Sequence, residues 1–353
     1  MKKILKILAL SALVFGLSVS QTMAESIENW AESEYLPVGI TIDSAGNVYV
    51  VNYDGDNVTK ITPDGASSEL GATGRDPKAI AIDSVGNVYT SNQSDNNVTK
   101  ITPAGVSSVL GTTGDTPNAI AIDSAGNVYT ANYGDDNVTK ITPAGVSSVL
   151  GTTGSNPDAV AVDSDGNVYT ANADGNNVTK FTLSGGSYIA STLGTTGDTP
   201  SAITVDSDGN VYTADYDDNT VTKIIPAGVS SVLGTTGDGP VAIVIDYAGN
   251  IYTANSSSDN VTKITPAGVS SVFGTTGDNP QSITIDSAGN IYTANYGDDN
   301  VSKIIPEPEE SSSSSSSSSK KHKSSSIMFT CKDPKASNYD RFGRHKQSKC
   351  KYA

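Results

Sequence analysis

The sequence predicts an all-β protein: a seven-bladed β-propeller of four-stranded antiparallel blades, closed by an N-terminal strand and followed by a serine-rich linker and a small C-terminal disulfide module. Three observations carry this reading. The motif Asp-x-x-Gly-Asn-(Val/Ile)-Tyr begins at Asp43, Asp83, Asp123, Asp163, Asp206, Asp246 and Asp286, a spacing of 40 residues broken once by 43. Each unit holds four short runs of strand-forming residues separated by turn residues. No segment repeats its apolar residues with a helical period. Four short strands about every 40 residues is the pattern of a propeller blade.

The elements of one unit follow in order. A proline stands six residues before each motif, at Pro37, Pro77, Pro117, Pro157, Pro200, Pro240 and Pro280, and opens an apolar run such as "AIAID". "NVYTAN" and "NVTKITP" are rich in β-branched and aromatic residues, which suit a pleated surface. "VSSVLG" supplies the fourth strand. "DSAGN", "YGDD", "PAG" and "GTTGDTP" bring the Gly, Asn, Asp and Pro that turns require. The single longer unit carries its extra residues in Thr182–Ser191, between the third and fourth strands, where a surface hairpin absorbs them at small entropic cost.

The ends predict how the ring closes. The last unit stops near Ile305 without a "SSVLGTTG" run, and the first is preceded by "SIENWAESEYLP". Aligning Pro37 with Pro77 lays Ile27–Trp30 over Ser67–Leu70. The N-terminal segment is therefore expected to supply the missing fourth strand of blade seven, covering an open sheet edge, with Trp30 in the place of Leu110 and its equivalents.

Four segments are expected. Residues 1–24 read as a signal peptide: Lys2, Lys3 and Lys6 precede an apolar run, and Thr22-Met23-Ala24 offers a small-residue cleavage site. Residues 25–306 form the propeller. Residues 307–326 are a Pro/Glu/Ser-rich linker that cannot build a core. Residues 327–353 form a basic module whose Cys331 and Cys350, the only cysteines of the chain, are expected to pair in an oxidising compartment. This order predicts a secreted, cell-surface or periplasmic protein with no transmembrane segment once the signal is cleaved.

Charge is divided unevenly along the 353 residues, whose formal net charge is −16. Residues 25–310 hold nine Lys/Arg against 36 Asp/Glu; residues 311–353 hold ten Lys/Arg and two Asp. The acidic propeller argues against nucleic acid and anionic membrane as partners.

The recurring "P-x-A-I-A-I-D-S-x-G-N-V-Y-T-A-N" and "N-V-T-K-I" resemble the NHL repeat and the wider superfamily of streptogramin lyases and gluconolactonase-like propellers, over residues 37–306. The resemblance implies the fold. For activity it implies either a lyase, with His and Glu near the axis and a tryptophan-rich "G-x-V-W-F-T-E" stretch, or a lactonase holding a divalent metal with Glu, Asn and Asp. This chain departs from both. Its two histidines, His322 and His345, lie in the tail, and Glu69 is the only glutamate within the repeats of residues 37–306. A base titrating near neutrality is missing from the blades. The residues favour a non-catalytic protein- or carbohydrate-binding or scaffold module, with a metal-dependent lactonase or streptogramin-lyase-like enzyme as the alternative. The "C-x-D-P-x-A-x-N-Y" stretch from Cys331 resembles short modules ending some secreted bacterial proteins, which implies envelope attachment.

Blades this alike reveal a site where they differ. After the repeat proline stand Val38, Lys78, Asn118, Asp158, Ser201, Val241 and Gln281. After "T-A-N" or its equivalent stand Tyr53, Gln93, Tyr133, Ala173, Tyr216, Ser256 and Tyr296. In a four-strand meander these two sets share one face, so binding residues are expected there: Tyr53, Tyr133, Tyr216 and Tyr296, with Gln93, Lys78, Asn118, Asp158 and Gln281. No cofactor is required, although the acidic turns carrying Asp54, Asp56, Asp135, Asp136, Asp298 and Asp299 offer hard oxygen ligands for calcium. The recurrent "N-V-T" sequons reflect the repeated strand and are assigned no function.

Overall fold

The computed structural model describes residues 25–33 and 35–306. The expected signal peptide, linker and C-terminal module, with Cys331 and Cys350, lie outside the described residues. The described strands form seven four-stranded antiparallel sheets, with no helix among them. Blade two shows the order: Pro77–Ile82 innermost, then Val88–Asn92 and Asn97–Ile101, and Ser107–Thr112 outermost. Inner strands pack against their neighbours around the ring, and Pro37–Ile42 of blade one meets Pro280–Ile285 of blade seven.

The Asp-x-x-Gly-Asn-Val-Tyr motif is a self-contained lock on the first turn of each blade. In blade three the Asp123 carboxylate accepts four bonds. The Ala125 and Asn127 amides donate to Oδ1 at 2.9 and 2.8 Å. The Asn127 side-chain amide and the Tyr129 hydroxyl donate to Oδ2 at 2.8 and 2.9 Å. Gly126 sits at φ 80°, where a side chain would be strained. Val128 and Tyr129 then enter the inter-blade core with no exposed surface. The repeat lysine completes the unit: Lys140 Nζ lies 5.5 Å from the Tyr129 ring centroid, with the same stacking in every blade.

The outer strand meets the third through a β-bulge, where the register shifts between Val98 and Thr99 in blade two. The bulge lets Leu110 pack into the blade core while Val109 stays exposed. Gly111 follows because a Cβ there would fall 2.7 Å from the Ser147 hydroxyl of the next blade. The longer unit extends blade four into a hairpin turning at Gly185-Gly186. Its Tyr188 hydroxyl lies 2.9 Å from the Tyr129 hydroxyl of blade three.

The N-terminal strand, Glu25–Glu32, pairs with Asn300–Ile305 and completes blade seven. Trp30 takes the place of Leu110, its ring edge-on to Tyr292 at 5.2 Å and under Lys303. One detail differs from the sequence alignment. Ser26 faces Ile304 as Ser67 faces Ile61, an offset of 41, whereas Ala31 faces Val301 as Gly71 faces Val58, an offset of 40. The strand carries one additional residue in its bulge, which an ungapped alignment cannot register. Beyond it the Ser33 hydroxyl donates to Asn52 of blade one at 2.6 Å, and the Leu36 amide donates to Asp299 of blade seven at 2.8 Å.

Trp30→Ala is expected to destabilise the propeller by about 2 kcal/mol, since the ring is half-buried, and to lower Tm by about 4–8 °C. Trp30→Leu, which installs the residue used by blades one to five, is expected to lose much less. Equal losses in the two variants would contradict the packing role.

The motif lock also predicts a pH profile. Burial pushes the carboxyls of Asp43, Asp83, Asp123, Asp163 and Asp206 up, but the hydrogen bonds they accept outweigh it and hold them below the usual value. Burial, then the bond to the motif aspartate, pushes the Tyr49 and Tyr89 phenols up to about 12. The carboxylates stabilise the fold above their unfolded value of about 3.9, and that contribution is lost as pH falls through the folded values. The phenols stabilise it below about pH 10, and that contribution is lost as pH rises towards about 12. Urea melts at stepped pH should therefore show stability falling on both sides of a neutral plateau. A midpoint unchanged from about pH 7 to beyond 12 would contradict the lock.

Candidate functional site

Each inner strand begins with its proline on one face of the ring and ends with the motif aspartate on the other. The variable positions therefore gather on the proline face. There Val38, Lys78, Asn118, Asp158, Ser201, Val241 and Gln281 encircle the mouth of the central channel, a cavity of about 410 Å³.

Polarity in this mouth is concentrated in blades two to four. The Gln93 amide donates to Asn118 Oδ1, and the Asn118 amide donates to Asp158 Oδ1 at 2.8 Å. Burial pushes the Asp158 carboxyl above its usual value; the Asn118 bond and the nearby Lys78 charge oppose that only in part. Lys78 itself makes no hydrogen bond or ion pair within the described residues. It is distinctive among the propeller's nine cations: seven lysines stack on blade tyrosines, and Arg75 pairs with Asp95 at 2.8 Å. The mouth thus combines one uncommitted ammonium, one carboxylate and two amides.

The remaining candidates are placed differently. Ser201 Oγ donates to the Pro240 carbonyl at 2.7 Å, and the Gln281 amide donates to Asn279 at 2.7 Å, so both are tied into the rim. Tyr133 stands near Asp158: burial, then the charges of Asp174, Asp158 and Asp136, raises its phenol. Tyr53 and Tyr296 come together at the seam of blades one and seven, packed against the cluster that holds Val38. Burial, then the Asp76 charge, raises the Tyr53 phenol. Tyr216 leans towards Gly239 of blade six and stays 37% exposed. The four tyrosines do not form one ring of equivalent groups.

The acidic turns hold the ring together. Asp56, Asp136 and Asp299 sit at φ 47°, 51° and 51°. Their carboxylates accept the amide of the residue before, or of, the next blade's proline-capped loop: Asp76 at 3.0 Å, Asn156 at 2.7 Å and Leu36 at 2.8 Å. Asn96 does the same for Thr116 at 3.0 Å. Asp135 and Asp298 accept the amides of Asp115 and Asp278, both at 2.9 Å. Short polar side chains tolerate this left-handed backbone, which is why Asp and Asn alternate there. Among the described residues no group of three or more His, Cys, Asp or Glu is placed to hold a metal ion.

One position escaped the sequence reading. Six blades bury an Asn at the end of the second strand, and blade five buries Asp215, all without exposed surface. In the other blades this Asn bonds the Asn five residues on, at 2.7 Å for Asn92 and Asn97. Asp215 can only accept when ionised, and Thr220 replaces the partner Asn. Thr213, Thr220 and Thr222 donate to its oxygens at 2.8, 3.2 and 2.6 Å. Burial still raises its carboxyl. The paired change from "TAN…N" to "TAD…T" was the readable signal.

With this geometry in place, the likeness to known proteins can be stated. The chain resembles the selenomethionine-substituted virginiamycin B lyase from Staphylococcus aureus at 17% identity, covering 80% of this chain and 98% of that one, with a TM-score of 0.69. A catalytically inactive histidine-to-alanine variant of that enzyme, solved with quinupristin, gives 18% identity, 80% and 99% coverage, and 0.68. Hydrazine synthase from Kuenenia stuttgartiensis gives 17%, 83% and 99%, and 0.65. At these identities the likeness shows the propeller fold alone. No curated protein sequence matches the chain. The family model for the virginiamycin B lyases matches residues 72–322, most of the chain, and the protein therefore belongs to the virginiamycin B lyase family.

Proposed function

We propose that this chain is an exported, non-catalytic binding propeller of the virginiamycin B lyase family, taking a small polar ligand at the channel mouth on the proline face. The observation that carries this reading is the convergence of Lys78, Gln93, Asn118 and Asp158 on one sector of a 410 Å³ mouth, in a propeller without histidine. Such a volume lies within the usual range for small-molecule sites. Lys78 would meet an anionic or carbonyl oxygen of the ligand, and Asp158, oriented by Asn118, a hydrogen-bond donor. Asn118 and Gln93 form a relay that fixes the carboxylate before the ligand arrives, which lowers the ordering cost of binding.

A second reading has its own support. The family is named for a lyase, and Asp158 carries a carboxyl raised by burial beside a cation. A carboxylate of that kind can accept a proton from a bound substrate. In this reading Asp158 is the base and Lys78 steadies the charge that develops on the substrate oxygen.

Quinupristin is the probe that separates the two. Calorimetry should give saturable binding to the wild-type chain, with the ligand's chromatographic retention and fragment spectrum unchanged on long incubation, since an intramolecular elimination would open the ring without changing its mass. Asp158→Asn and Lys78→Gln should each weaken binding by about tenfold or more, the cost of losing a hydrogen bond to a charged group. Ring opening that is abolished in Asp158→Asn would establish the lyase reading instead. Binding unaltered by both substitutions would remove the channel mouth as the site.

A further inference from the structure

The opposite face carries a second hollow. It is lined by the motif turns of blades five, six and seven and encloses about 880 Å³. At its lip the repeat departs from the other blades at the second motif residue of blade six. The second residue of the motif is Ser44, Ser84, Ser124, Ser164, Ser207 and Ser287 in six blades, but Tyr247 in blade six. The Tyr247 side chain is fully exposed, at 103%. A single exposed ring is ordinary on a protein surface; what marks this one is its place, lining the hollow at a position where the other six blades carry serine.

The groups around it narrow the ligand class. The carboxylates of Asp206, Asp246 and Asp286 line the hollow but are saturated within their own turns; Asp246, for instance, accepts from Ala248, Asn250 and Tyr252. The polar side-chain groups left over are the hydroxyls of Tyr247, Ser207 and Ser287 and the Asp208 carboxylate, none with a hydrogen-bond partner among the described residues. Hydroxyls both donate and accept. Small apolar surface from Ala248 and Ala288 lies between them. A ligand that fits must present a flat apolar face to the ring and a rim of hydroxyls to these groups. The excess of acidic residues in the propeller disfavours an anionic ligand, and one free carboxylate among three neutral hydroxyls is a poor match for a polycation.

We propose that this hollow is a binding site for a neutral oligosaccharide, with Tyr247 as the stacking platform and Asp208, Ser207 and Ser287 reading its hydroxyls. The site is independent of the channel mouth on the proline face. Calorimetric titration of the full chain with cellotetraose and with chitotetraose tests it. At least one tetrasaccharide should bind saturably, and Tyr247→Ser should lower its affinity about tenfold or more. Because serine occupies this position in six blades, Tyr247→Ser should leave the melting temperature unchanged. Tyr247→Trp should retain binding, and Lys78→Gln should not affect it, which separates this site from the other. The proposal is overturned if neither tetrasaccharide binds, if Tyr247→Ser binds as the wild type does, or if hexalysine binds the hollow in their place.

Discussion

Closure of the ring is the constraint on which the rest of this structure depends. A blade is a four-stranded sheet that cannot bury both faces alone; it needs a neighbour on each side. Six junctions are built within the repeat, and the seventh must join the two ends of the described propeller. The same devices serve both kinds. The left-handed Asp or Asn of one blade takes an amide of the next, and at the seam Asp299 takes the amide of Leu36 as Asp56 takes that of Asp76. The outer-strand leucine that packs on the tyrosine in blades one to five is Phe273 on Tyr252 in blade six and, at the seam, Trp30 on Tyr292. Because closure reuses the bonds of an ordinary junction, the channel keeps a nearly regular wall, and differences at its two mouths come from side chains alone.

The fold was legible because its most demanding features are local. Asp123, Gly126, Asn127 and Tyr129 lie within seven residues, and each is needed by the same carboxylate or the same turn. Any unit that kept the fold had to keep those letters, so the period stood out. The N-terminal strand was legible from a deficit, a missing run at one end and a surplus at the other. Its register was not, because a bulge residue leaves no mark in residue type. The acidic turns of "NYGDDN" were read as possible ion ligands, since Asp and Gly serve turns and cations alike. Their use as clasps between blades depends on amides about 20 residues away, which only the ring brings near.

The site was legible in part. That the variable positions share a face followed from strand direction. That Gln93, Asn118 and Asp158 form one chain of hydrogen bonds did not, because these residues are 25 and 40 positions apart and meet only through the packing of three adjacent blades. The tyrosines following the second strand looked equivalent in sequence. Two are drawn into the seam beside Val38, one stands near Asp158, and one leans across to blade six. Repetition sets backbone position, while each side chain's direction is decided by whatever the neighbouring blade presents.

A propeller closed in this way should behave as one cooperative body, with its N-terminal strand as integral as any strand inside a unit. Native-state hydrogen exchange measures that directly. The account predicts that amides bonded between Glu25–Glu32 and Asn300–Ile305 exchange only by global opening, with the same free energy as amides bonded between Asn97–Ile101 and Ser107–Thr112. Exchange of the terminal pair by a separate, much easier opening, while the inner blades stay protected, would contradict it.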